Sequence, residues 1–374
     1  MQIVASLPQG LEDEGAKEVM ALGAQSIKCS RRFIEFQADM ACLYRIYLRA
    51  RLPFRLLREI ARFSCDEPES LYEGIQRSFD WEKWINPSKT FRVDVTGKTY
   101  GLPHTHFTAL QVKNALIDFQ RSIWGQRSSI SINNPDFCLH LHLRNNQAIL
   151  SLDGSAESLH KRGFRPAVGI APLKENLAAG LMRMCNWQDD LPLVDPLCGS
   201  GTFLIEAVSM SLGLAPGLSR DFLIKWWNDF DLQLWNRERN MARSLHAIDK
   251  KLPKIIGFEK NTGIANQAKN NILNAGLDKF IEINNNSFQD MNLPLEKGIL
   301  VCNPPYGKRI GVEEELFSLY EDLGSFCKSN ASGWDLWILS GNAELSRSLS
   351  MKATKKFQVS NGGLDCRWLH YKVK

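Results

Sequence analysis

The sequence predicts an α/β protein in which a Rossmann-like domain follows a smaller α/β module, and three stretches carry that expectation. The first is Leu191 to Val194, a short apolar strand that runs into Asp195-Pro-Leu-Cys-Gly-Ser-Gly-Thr202 and opens a helix over 202–210. Gly199 and Gly201 permit the tight turn and close backbone approach that such a junction needs. The second is Ile299 to Cys302, a continuous apolar run of the kind buried strands show, halted by Asn303-Pro-Pro-Tyr306. The third is the opening of the chain. Gln2 to Leu7, Leu11 to Leu22 and Ser26 to Phe36 form a strand, helix, strand pattern punctuated by Pro8-Gln9-Gly10 and Gly23.

A chain of 374 residues has room for two or more cores. Its 44% hydrophobic and 23% charged residues match an ordinary soluble protein and exclude a disordered one. No run approaches the length of a membrane span, and no basic-then-apolar signal pattern opens the sequence, which predicts a cytoplasmic protein without a membrane partner. Nine cysteines lie scattered with no Cys-x-x-Cys pair, so reduced thiols are expected and neither a disulfide frame nor a metal site. The net charge of +5 is too mild to name a partner; its distribution says more.

Ala41 to Phe63 combines a helical segment with a strand-like run and carries Arg45, Arg49, Arg51, Arg55, Arg58 and Arg62. Arg31 and Arg32 precede them, and only Glu35, Asp39 and Glu59 stand against them. Guanidinium clusters match phosphate geometry, so Arg45 and Arg49 are expected to touch RNA, with a solvated helix face as the alternative. Leu71 to Trp84 reads as one amphipathic helix, Thr90 to Thr96 as a strand and His104 to Phe119 as a helix. His104 and His106 lack companions and are read as surface residues. Phe137 to Leu143 and Gln147 to Leu152 form a hairpin around Arg144-Asn145-Asn146. Ser158 to Arg165 is a basic connector. Its Lys161, Arg162 and Arg165 are expected to face RNA or a cofactor pocket, or else solvent.

Beyond the glycine turn, Phe222, Trp226, Trp227, Phe230 and Trp235 mark an inserted helical piece whose aromatics pack rather than bind bases. The dinucleotide fingerprint calls for a third glycine where Leu204 stands, which disfavours NAD. Lys254 to Phe258 is a strand ending at Glu259, placed to accept ribose hydroxyls, and a helix follows over 261–274. Another strand, Ile281 to Asn284, leads to Asn285-Asn-Ser-Phe-Gln-Asp290. At Asn303-Pro-Pro-Tyr306 the prolines end a strand and leave an amide oxygen, the Pro304 carbonyl and an aromatic ring at the edge of a sheet. Those groups can accept hydrogen bonds from an exocyclic amine and stack on its base. A helix over 313–328, a strand over 336–340 and a hairpin over 352–357 and 367–373 complete the chain.

The Asn303-Pro-Pro-Tyr306 tetrapeptide resembles the motif of class I S-adenosylmethionine-dependent methyltransferases that act on nitrogen. Leu159-His-Lys-Arg-Gly-Phe-Arg165, Ala171-Pro-Leu-Lys-Glu-Asn176, Leu71-Tyr-Glu-Gly74 and Asn361-Gly-Gly-Leu-Asp-Cys366 extend the likeness along the whole chain. It is similar to THUMP-domain RNA methyltransferases, in particular the bacterial 23S rRNA guanine-N2 enzymes that form the N-terminal half of a two-headed enteric enzyme. With the chain ending at Lys374, no counterpart of that enzyme's second head is expected. The resemblance implies a ferredoxin-like part over 1–60 and a THUMP domain over 61–155. A linker over 156–170 and a class I methyltransferase domain over 171–374, with an insertion near 211–249, would follow. It implies S-adenosyl-L-methionine as cofactor and rRNA or a large-subunit precursor as partner. Adenine N6 and a tRNA guanine are the alternative targets, and an assembly factor with a vestigial pocket is the alternative of another class.

On that model Asn303, Pro304 and Tyr306 are catalytic. Asp195, Cys198, Gly199, Gly201, Thr202 and Glu259 bind the methionine and ribose of the cofactor. Ser287 stands where relatives place an Asp for the adenine amine, with Phe288 beside it. Lys308, where relatives often carry an acid, and Arg309 add RNA-facing charge. The donor is already activated, so the protein need only position it against the amine, and the proton leaves afterwards.

Overall fold

Alternating and continuous apolar runs build two separate sheets in the computed structural model, which describes residues 1–155, 157–165, 173–187, 189–306 and 313–374. The first sheet forms from β1 (Gln2–Ser6), β2 (Gln25–Ser30), β3 (Phe33–Gln37), β4 (Arg55–Ser64), β5 (Phe91–Gly97), β6 (Phe137–Arg144) and β7 (Gln147–Asp153). Helices α1 (Glu12–Ala21), α2 (Met40–Arg49), α3 (Pro68–Arg77), α4 (Trp81–Trp84) and α5 (Thr105–Trp124) connect them. Two expectations need correction here. The single strand over 26–36 is a hairpin that reverses at Arg31-Arg32, where Arg32 takes a left-handed φ of 72°. The single helix over 71–84 is α3 and α4, because the chain turns to bury Trp81, whose indole N–H donates to the Ile75 carbonyl at 2.6 Å. The Asn145-Asn146 reversal between β6 and β7 has both residues at positive φ, the signature of a two-residue hairpin turn.

The strand order is β2-β3-β1-β4-β7-β6-β5. One sheet therefore runs through the whole N-terminal half, and β4 is its seam. Leu56 and Leu57 pair with Ala5 and Val4 of β1, while Ala61 to Ser64 pair with Leu150 to Gln147 of β7. The boundary expected at residue 60 falls inside this strand.

The second sheet comprises β8 (Leu193–Asp195), β9 (Ile255–Phe258), β10 (Glu282–Asn284), β11 (Ile299–Cys302), β12 (Asp335–Ser340), β13 (Lys355–Asn361) and β14 (Leu364–Lys372). Helices α6 (Glu175–Cys185), α7 (Thr202–Ser211), α8 (Leu232–Ser244), α9 (Thr262–Asn274), α10 (Glu313–Asn330) and α11 (Ala343–Ser348) accompany it. Its order is β10-β9-β8-β11-β12-β14-β13, parallel except for β14, which runs against β12 and β13. Every residue of β8, β9 and β11 is buried, as expected of strands covered on both faces. The order reverses between β8 and β11, which places a crevice beyond their carboxyl ends.

The Trp-rich insertion packs as predicted, but its partner is the N-terminal module. Trp235 and Phe230 lie 5.2 and 5.4 Å from the Tyr44 ring of α2, and Phe222 lies 5.2 Å from Tyr47. Arg58 of β4 sits between Trp84 and Trp227. A buried ionic knot reinforces the joint: Glu206 of α7 accepts from Arg51 at 3.0 Å and from Arg162 at 3.1 Å. All nine cysteines are free thiols, with Cys29 alone exposed. Among the described residues no helix is long and apolar enough to cross a membrane.

Candidate active site

Parallel pairing of β8 with β9 and β11, and of β9 with β10, puts the ends of all four strands along one edge. The glycine turn leaves this edge after β8 and the Asn303-Pro-Pro-Tyr306 turn leaves it after β11, so the two face the same crevice. Gly199 and Gly201 adopt φ of 51° and 80°, a region that side chains resist. A Cβ on Gly199 would meet nothing within 4 Å, so it would project into the open space the turn encloses. Gly201 caps α7 with no side-chain acceptor, leaving the helix N-terminus available to a negative group.

Asp195 at the end of β8 is 2% exposed. Its carboxylate accepts from the Leu197 N–H at 3.1 Å, and among the described residues no cation pairs with it. Burial, aided by the neighbouring Glu259 charge, pushes its carboxyl well above the ordinary carboxylate range. A buried carboxylate without a cation suits a ligand that brings one. Glu259 follows β9; its backbone N–H donates to Asn284 and its carboxylate accepts from the Asn261 N–H at 2.8 Å. Cys198 lies inward of the turn, its N–H bonded to the Phe258 carbonyl at 2.9 Å. Thr202 accepts a hydrogen bond from Arg165, which ties the connector to the start of α7.

On the acceptor side, the Asn303 side-chain oxygen is buried and has no hydrogen-bond partner among the described residues. Such an atom costs stability unless a ligand donor completes it, typically about 1–3 kcal/mol. Pro304 is buried beside it. The Tyr306 hydroxyl accepts from the Asn361 amide at 2.7 Å, and its ring lies so close to Gly341 that a Cβ there would come within 2.7 Å of it.

Several expected residues land elsewhere. Ser287 caps its own short turn, accepting from the Gln289 N–H at 3.3 Å, while Phe288 is buried against Phe326 with ring centroids 5.9 Å apart. Phe288 is thus part of the core. Arg45 is occupied by Glu238 through two contacts of 3.1 Å. Arg162 belongs to the Glu206 knot, and Arg165 spans Thr202 and Glu175, so neither guanidinium is presented outward. Arg49 is half-buried beside Arg45, and Lys161 is exposed with a surface partner, Glu157. Lys308 and Arg309 lie outside the described residues.

Gly257 and Gly341 escaped sequence reasoning, and so did the role of Asn361, which it named only as the start of a motif. A Cβ on Gly257 would come within 2.9 Å of the Cys198 sulfur and 2.8 Å of Leu204, so the glycine turn can dock on β9 only over a bare backbone. The one available signal was a glycine inside an apolar strand, which marks close backbone approach.

A mostly parallel sheet with an antiparallel strand inserted near one edge, a glycine turn after its first strand and an amide-proline clamp facing it define a class I S-adenosylmethionine-dependent methyltransferase. More narrowly, the chain belongs to the RMKL-like methyltransferase-domain family, whose model matches residues 162–370. Residues 66–153 match the THUMP domain and residues 2–57 the RlmL ferredoxin-like domain. The chain is 40% identical to slr0064 of Synechocystis sp., which bears the name of an RNA methyltransferase, over 99% of this chain and 96% of that protein. It is 36% identical to the ribosomal RNA large subunit methyltransferase K/L of Syntrophotalea carbinolica, over 100% of this chain and 54% of that protein. This chain thus spans about half the length of the K/L relatives it matches. Among solved structures, the methyltransferase SMU.472 in complex with SAH superposes over 100% of this chain and 98% of its own, with a TM-score of 0.90 and 28% identity.

Proposed function

We propose that the chain methylates the exocyclic N2 amine of a guanine in large-subunit (23S) rRNA, free or within a large-subunit precursor, in the cytoplasm. The observation that carries this is the buried Asn303 oxygen, without a partner among the described residues, at the carboxyl edge opposite the glycine turn. An amine N–H donated to that oxygen, and a second to the Pro304 carbonyl, would fix the nitrogen and direct its lone pair across the crevice. The K/L relatives, named for large-subunit rRNA, support the choice of RNA.

S-adenosylmethionine supplies an activated methyl group when bound. Asp195 would give its ammonium a buried counter-charge, Gly199 and Gly201 would leave room for its methionine end, and Glu259 would accept hydrogen bonds from its ribose hydroxyls. Burial of Pro304 and the Asn361 bond to Tyr306 keep the acceptor wall fixed and exclude water. A guanine in a duplex must leave its stack to reach this wall.

The test is mass mapping of 23S rRNA from a strain lacking the gene, followed by in vitro restoration with the purified protein. Loss and restoration of one N2-methylguanine is the expected result. A missing N6-methyladenine, or a missing tRNA modification with intact rRNA, would overturn the assignment.

A further inference from the structure

The arginines that the sequence marks for RNA are mostly committed within the fold, whereas the insertion read as packing leaves its own arginines unspent. Helix α8 buries Trp235, Glu238 and Ala242 against α2. Its one acid, Glu238, is consumed by Arg45. The outward side presents Asn236, Arg237, Asn240 and Arg243, with Arg239 half-buried. Among the described residues none of these three arginines makes an ion pair. Asp221, an acid whose charge Arg239 feels, is held by Lys225 at 2.6 Å.

Arg239 and Arg243 are four residues apart, a like-charge spacing that weakens a helix unless something anionic covers it. A helix that needed only solvation would carry acids at that spacing, and this one does not. Beyond α8, Lys251 and Lys254 continue the exposed charge, with Asp249 as the single exposed acid between the helix and β9. The base beneath is rigid. Asp231 caps α8 through the Leu234 N–H at 2.9 Å, and Tyr44 and Arg45 bolt the helix to the N-terminal sheet. Cations on a fixed helix, interleaved with the amides of Asn236 and Asn240, match a phosphate-ribose backbone, which offers anionic oxygens and hydroxyls at regular spacing. Met241 and Leu245, exposed beside the stripe, add apolar surface of the kind ribose covers.

We propose that the outward face of α8, with Arg237, Arg239 and Arg243, is a docking surface for the sugar-phosphate backbone of the substrate RNA. This rests on the rRNA reading above, which assigned no role to the insertion. It moves RNA contact from α2 to the helix that α2 supports.

The experiment compares the full chain with an Arg237→Gln, Arg239→Gln, Arg243→Gln variant. Glutamine keeps helix propensity, and the Glu238–Arg45 pair is untouched. Fluorescence anisotropy with a labelled 23S rRNA hairpin is followed across a salt series. The slope of log affinity against log salt should become shallower by roughly 2 to 3, with roughly tenfold or greater loss of affinity at moderate salt. The corresponding triple lysine variant should recover most of that slope. Cofactor affinity by calorimetry and the melting temperature should not move. A glutamine variant that keeps the wild-type slope and affinity overturns this proposal and leaves the rRNA reading standing. A wild-type chain with no affinity for the hairpin also overturns this proposal, while the rRNA reading stands or falls by the mass mapping above.

Discussion

On the proposed reading, the chemistry turns on one atom of the Asn303 side chain. Its oxygen is buried and has no partner among the described residues, whereas Tyr306 beside it is anchored by Asn361. Replacing Asn303 by alanine should lower kcat at least about 100-fold through misplacement of the amine. Cofactor affinity, measured by calorimetry, should stay at the wild-type level. Asp195 makes a different prediction. Its folded pKa is raised by burial above that of the unfolded chain, so the folded state holds the proton more tightly. The ionised form therefore costs stability, and the cost grows as pH rises from the ordinary carboxylate range through the raised folded value. A bound ammonium reverses that preference. Affinity for S-adenosylmethionine should weaken as pH falls from neutral, and Asp195→Asn should flatten the dependence while weakening binding, as calorimetry at several pH values would read. These residues were legible because short motifs name them. Gly257, Gly341 and Asn361 were not, because their roles depend on partners between about 25 and 60 positions away in sequence: Asn361 on Tyr306 and Gly341 on Cys366 and Tyr306, just as Gly257 depends on Cys198.

At the scale of elements, periodicity found most helices and strands and failed where a buried side chain overrode the pattern. Trp81 split a continuous amphipathic helix, and a left-handed Arg32 turned one strand into two. Charge was the least legible property. A run of arginines says nothing about which acids meet it, and here Glu238, Glu206, Asp153, Asp229 and Glu59 take five of the six between Arg45 and Arg62. Arg45→Ala should accordingly act on stability. It leaves Glu238, with a side chain only 9% exposed, short of its partner, at a cost of about 1–3 kcal/mol. Denaturation should show that loss, and RNA affinity per folded molecule should be nearly unchanged.

Over the whole molecule, β4 and the insertion make the N-terminal module and the catalytic sheet a continuous support. Removing residues 1–60 would strip β1 and most of β4, leaving β7 with little of its partner and exposing the buried face of α2's former site. That deletion should not yield a soluble, cooperatively folded THUMP–methyltransferase fragment, as yield and thermal melting would reveal. The sequence suggests a linker over 156–170 between the two halves. What it could not reveal is that Arg51 and Arg162 meet at Glu206 from positions more than a hundred residues apart.

That knot at Glu206 has a geometric consequence. Because Arg51 belongs to the N-terminal half and Glu206 to the helix that springs from the glycine turn, their contact fixes the spacing between the N-terminal sheet and the carboxyl edge of the second sheet. On the proposed rRNA reading, an enzyme so built would choose its nucleotide as a caliper does, by how far the base lies from a held stem.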